Sequence, residues 1–184
     1  MKDKKIFLVI QGHTRQCDQV LERLKGVDNV IWSTEMTMPD EDLKKIEDAG
    51  IKLALGIPPR FSGYGNVNIH ASSTIRGLEL AKSLGATHAI KIRSDLIFTD
   101  AADFMKSYPF DERIHQLAYI QHTDSCVNCV VHYPGIPNWL EDSGYADIIT
   151  DVSDYNYISD FANLGPIDEM LLFWGIPPEE VSIK

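Results

Sequence analysis

"THAIKIRSDLIF" (87–98) is apolar enough to be a buried strand, yet it carries Lys91, Arg93 and Asp95. Side chains along a strand alternate between the two faces of the sheet. Ile90 and Ile92 therefore share one face. Lys91, Arg93 and, if the strand extends that far, Asp95 share the other.

The segments before this run read as its partners. "KIFLVIQG" (5–12), "NVIWST" (29–34) and "IKLALG" (51–56) are short apolar runs, the pattern of strands buried on both faces. Between them lie helical patterns. "TRQCDQVLERLKG" (14–26) spaces Val20, Leu21 and Leu24 helically and stops at Gly26. "PDEDLKKIEDAG" (39–50) opens with Pro39 and acids, which suit a first helical turn. "IHASSTIRGLELAKSLG" (69–85) ends at Gly85. Four strands alternate with three helices, the signature of a parallel sheet with covering helices.

Beyond residue 98 the pattern is less regular. "ADFMKSYP" (102–109) reads as a short helix. "HQLAYIQH" (115–122), "CVNCVVHY" (126–133) and "YNYISDFANLG" (155–165) read as strands, and "PIDEMLLFWG" (166–175) as a helix. The expectation is one α/β domain over 1–184, with a nucleotide-binding half (1–98) and a mixed, acceptor-side half (99–184). Its sheet is mostly parallel and Rossmann-like, with order near 3-2-1-4.

Composition bounds the function. The 184 residues carry a net charge of −10, which argues against nucleic acid or an anionic membrane as the main partner. No apolar run approaches the ~20 residues needed to span a bilayer. "MKDKKIFLVIQG" has an apolar run of only Ile6 to Ile10 and does not read as a signal peptide. Three cysteines suggest no disulfide framework, so a reducing, cytoplasmic location is expected. The chain has no G-x-x-x-x-G-K-[ST], no G-x-G-x-x-G after the first strand and no G-x-S-x-G, which disfavours an NTPase, a dinucleotide-dependent dehydrogenase and an α/β-hydrolase.

In open α/β sheets ligands bind beyond the carboxyl ends of the strands, where strand order reverses. With order 3-2-1-4 that point lies between strands 1 and 4. The tips "QGHTR" (Gln11, Gly12, His13, Thr14, Arg15) and "RSD" (Arg93, Ser94, Asp95) would meet there. A carboxylate at a strand end can hold a divalent cation. Arg15, Lys91 or Arg93 can pair with phosphate. The competing reading is a structural ion pair between Arg93 and Asp95. Arg76 either reaches the diphosphate or faces solvent.

The run "NVNIHASSTIRGLELAKSLGATHAIKIRSDLIF" (66–98) resembles the core of the WavE-type lipopolysaccharide-synthesis glycosyltransferases, which are similar to GT-A enzymes. "YISDFANLGPIDEMLLFW" (157–174) resembles the family's later block, and the likeness extends over roughly 5–175. It implies a GT-A-like domain moving a sugar from a nucleotide sugar, UDP-linked by preference, to a glycan or lipid-linked acceptor. That acceptor would bring the protein to the membrane periphery. Asp95 would hold Mn²⁺ or Mg²⁺ against the donor diphosphate, although the Asp-x-Asp motif of GT-A enzymes here reads Arg93-Ser94-Asp95. Arg93 and Lys91 would hold the phosphates, and Gln11 to Arg15 the base and ribose. The sequence stops at Lys184, soon after the acidic helix, so the C-terminal parts of larger family members are expected to be missing from it.

An inverting transfer needs a base, and carboxylates are common ones. Asp160, in the apolar run "YISDF", leads, with Asp168 and Glu169 behind it. The alternatives are a non-catalytic nucleotide-sugar-binding domain and a sugar nucleotidyltransferase. His122, Cys126, Cys129 and His132 are zinc-ligand types, but a strand would put the two cysteines on opposite faces, so buried thiols are expected.

Overall fold

The computed structural model describes residues 4–62, 66–95, 114–122, 125–131 and 162–175. Four strands come first: β1 (Ile6–Gln11), β2 (Val30–Glu35), β3 (Lys52–Gly56) and β4 (His88–Arg93). Between them run α1 (Cys17–Arg23), α2 (Asp40–Asp48) and α3 (Val67–Ser83). Then come β5 (His115–His122), β6 (Ser125–Val131), β7 (Ala162–Pro166) and α4 (Ile167–Trp174). The described strands form one sheet in the order β3-β2-β1-β4-β7-β5-β6. The expected order 3-2-1-4 is therefore present, and its pairs are all parallel. The mixed second half extends the same sheet: β7 runs antiparallel to β4, β5 to β7 and β6 to β5.

Each face of the parallel strands is closed by helices. Leu8, Ile10, Trp32, Ile90 and Ile92 pack with Cys17, Val20 and Leu24 around α1 and with Ile46 of α2. Phe7, Val9, Ile31 and Ala89 pack with Leu78 and Ala81 of α3 and Ile167, Met170 and Trp174 of α4. The alternation along β1 and β4 separates these two layers. Gly77 lets α3 sit close: a Cβ there would fall 2.4 Å from Val9 Cγ1 and 3.0 Å from Ser33 Cβ.

Two expectations shift. α1 begins at Cys17, not near residue 14, because Thr14 Oγ1 donates to Asp42 Oδ2 at 2.7 Å and its carbonyl accepts from Cys17 N in a turn. β4 ends at Arg93, so Asp95 stands in the turn beyond the strand and not on its face. The segment expected to be helical at 102–109 and residues 155–161 lie outside the described residues. No helix among the described residues is long and apolar enough to cross a membrane.

Candidate functional site

The tips of β1, β2 and β4 are laced together by backbone. Gly12 N donates to Ser33 O at 3.1 Å, and Ser94 N donates to Gln11 O at 2.8 Å. Trp32 Nε1 donates to Gly12 O at 3.3 Å. Gly12 has φ +131°, and a Cβ on it would lie 2.6 Å from Ser94 Oγ. Only glycine meets both the conformation and the close approach.

Above this junction opens a cavity of about 510 Å³, within the usual range for ligand pockets. Gln11, Gly12, His13, Arg15 and Gln16 line it from the exit of β1, and Thr34 and Glu35 from β2. Asn66, Ile69, His70 and Ser73 line it from the start of α3, and Arg93, Ser94 and Asp95 from the exit of β4. The two tips singled out in the sequence thus share one crevice at the strand-order reversal. Gln16, Glu35, Asn66 and Ser73 were not singled out.

Arg93 and Asp95 form the ion pair of the competing reading: Nε to Oδ1 at 2.9 Å and Nη2 to Oδ2 at 2.5 Å. This bidentate pair occupies both carboxylate oxygens. Among the described residues no three His, Cys, Asp or Glu side chains converge as a metal group. Mg²⁺, however, commonly takes one or two carboxylates and completes its shell with phosphates and water. Asp95 supplies one carboxylate of that kind, here engaged by Arg93. Nearby, His13 Nδ1 lies 3.4 Å from Met38 Sδ.

Other expected residues stand elsewhere. Arg76 Nη1 donates to Thr34 O at 2.8 Å, its guanidinium lying where a side chain on Gly56 would be. Burial lowers its pKa, with Glu35 and Glu79 opposing the shift. It clamps β2 and β3 and is not among the cavity's lining residues. Thr14 is turned to Asp42 and does not line the cavity either. Lys91 is fully buried two residues before Arg93 on the same face of β4, its Nζ 4.7 Å from the centre of the Trp174 ring.

Asp168 and Glu169 require a correction. β7 is antiparallel, so its end, Pro166, pairs with His88 at the amino end of β4. Both acids follow it in the first turn of α4, and Asp168 pairs with Lys82 at 2.7 Å. They sit at the opposite sheet edge from the cavity, too far to act as a base there. Asp160 and His132 lie outside the described residues. Cys126 and Cys129 fall within strand β6, as expected.

The fold and crevice define a class: an α/β sheet, parallel over β3-β2-β1-β4, with a cavity at its strand-order reversal. No protein-family model and no curated protein matches the chain. Among solved structures it is similar to a cytidylyltransferase from Leptospira borgpetersenii serovar Hardjo-bovis, with 14% identity and a TM-score of 0.45 over 94% of this chain and 65% of that one. It is also similar to a CMP:2-keto-3-deoxy-manno-octonic acid synthetase complexed with CTP, with 14% identity and a TM-score of 0.46 over 95% of this chain and 79% of that one.

Proposed function

We propose that this chain is the nucleotide-binding domain of a transferase that handles sugar nucleotides, with the phosphates held by Arg15 and Arg93. The supporting observation is the crevice where the tips of β1 and β4 meet at the strand-order reversal, with these two cations on its walls. Guanidinium groups match phosphate geometry and stay charged. Gly12, having no side chain, lets Ser94 close against the tip of β1, which brings the two tips together.

Two transfers suit such a site. In glycosyl transfer, which the resemblance over 66–98 supports, Arg93 would leave Asp95 for the donor diphosphate. Asp95 would then be open to Mg²⁺ or Mn²⁺, whose charge would offset that of the departing diphosphate. In nucleotidyl transfer the cations would hold a triphosphate. In both readings Arg93 must turn from Asp95, whose carboxylate now engages its Nε and Nη2, to reach a phosphate.

Calorimetry with UDP and CDP, with and without Mg²⁺ or Mn²⁺, tests the shared part. A ligand at 100 times its Kd should add about 2.7 kcal/mol of stability. UDP release from UDP-sugars marks the first transfer. Pyrophosphate release from UTP or CTP with sugar phosphates marks the second. Binding without turnover would leave a non-catalytic domain. Failure of every nucleotide to bind at millimolar concentration would overturn the proposal.

A further inference from the structure

Gln11 is the last residue of β1 and is 3% exposed. It lines the cavity, with Ser33 and Arg93 opposite it in register on either side. Its Oε1 is buried without a hydrogen-bond partner. Such an atom forgoes its bonds to water and gains nothing in return. An apolar side chain of the same length would avoid that cost, and Phe7 and Val9, earlier on the same face of β1, are apolar.

Nearby hydroxyls do not answer it. Ser33 Oγ donates to Ser73 O at 2.5 Å, and Ser73 Oγ donates back to Ser33 O at 3.0 Å. The Trp32 indole N–H is taken by Gly12 O. The oxygen therefore stands ready for a donor that enters the cavity, water in the empty site and a ligand in the filled one.

Building on the nucleotide reading above, we infer that Gln11 is the specificity-determining residue for the nucleobase. A glutamine amide offers an acceptor oxygen and a donor NH₂ side by side. Its natural complement is a planar edge that pairs an N–H with an acceptor. Nucleobases carry that edge: N–H beside C=O in uracil and guanine, NH₂ beside a ring nitrogen in cytosine and adenine. Phosphates and most sugar hydroxyls do not present it as a rigid pair. Arg93, next to Gln11 across the β1–β4 register, then holds the phosphates while Gln11 holds the base. A site built to hydrogen-bond one edge discriminates strongly against a ligand lacking it.

The test measures the affinities of UDP, CDP, ADP and GDP for the wild-type protein and for Gln11→Met, with melting temperatures alongside. The wild type should prefer one or two of the four by at least tenfold. Gln11→Met should bring all four within about threefold of one another by weakening the preferred ones, with no fall in melting temperature. Gln11→Leu repeats the measurement should the first variant fold poorly. A preference that survives in both variants, or a wild type without preference, overturns the inference and leaves the nucleotide reading standing. A wild type that binds none of the four overturns both.

Discussion

On β1 and β4 one set of alternate side chains, Leu8, Ile10, Ile90 and Ile92, packs in the layer covered by α1 and α2. The other set begins apolar with Phe7, Val9 and Ala89, then changes character toward the carboxyl edge, where Gln11, Lys91 and Arg93 appear. Both faces are covered by helices, so coverage does not explain the difference. What differs is the direction of the cavity. It opens toward the start of α3, and within β1 and β4 the polar residues climb toward it on that face. The first face holds the sheet together, and the second gives up part of its apolar packing to a site.

The largest effect should come from damaging the first face. Ile90 is fully buried there. Ile90→Ala should cost about 2–5 kcal/mol in denaturant unfolding. A loss below about 1 kcal/mol would mean that this face is not the stabilising one.

Gly12 tests the junction. Gly12→Ala meets both an unfavourable φ of +131° and Ser94 Oγ at 2.6 Å, with an expected loss of roughly 1–3 kcal/mol. Adding Ser94→Gly removes the contact but not the backbone strain, so it should restore part of the stability. No restoration in the double-mutant cycle would show that the two tips do not touch.

Cys17 reports on burial in the first face. Burial, then Asp42 and Asp18, push its thiol up from 9.0 to about 11. Between those values the unfolded chain loses the thiol proton and the folded chain keeps it. This contribution is intact below pH 9 and lost as pH rises toward 11, by at most about 2.7 kcal/mol. Cys17→Ala should flatten that part of the pH–stability curve. An unchanged slope would contradict the assignment.

The smallest effect belongs to the far edge. Asp168 and Lys82 form an exposed pair, the kind worth about 0–1 kcal/mol. Asp168→Ala should change stability by no more than that and leave nucleotide affinity unchanged. A clear loss of affinity would return Asp168 to the site.

The apolar runs made the strands legible, and alternating helices made the parallel order the natural choice. The meeting of "QGHTR" and "RSD" followed from that order. Other features depend on geometry that no local pattern carries. Asp168 looked like a neighbour of the site because the antiparallel direction of β7, which sends α4 to the opposite edge, is not written in its few residues. Arg76 looked available to phosphate because a sequence does not distinguish an anion from backbone carbonyls as an arginine's partner. Glu35 could have been found by the logic applied to Asp95, as an acid at the end of a parallel strand. Ser73 and His70 enter only through the packing of α3, permitted by Gly77.

If the crevice between β1 and β4 holds nucleotide phosphates, as proposed, calorimetric titration of UDP and CDP into the wild type, Arg93→Ala and Arg76→Ala will show it. The wild type should bind saturably, Arg93→Ala more weakly by about 1.5–3 kcal/mol, and Arg76→Ala with unchanged affinity and a loss of stability only. Equal affinity in the wild type and Arg93→Ala, or an equal loss in both variants, would contradict it.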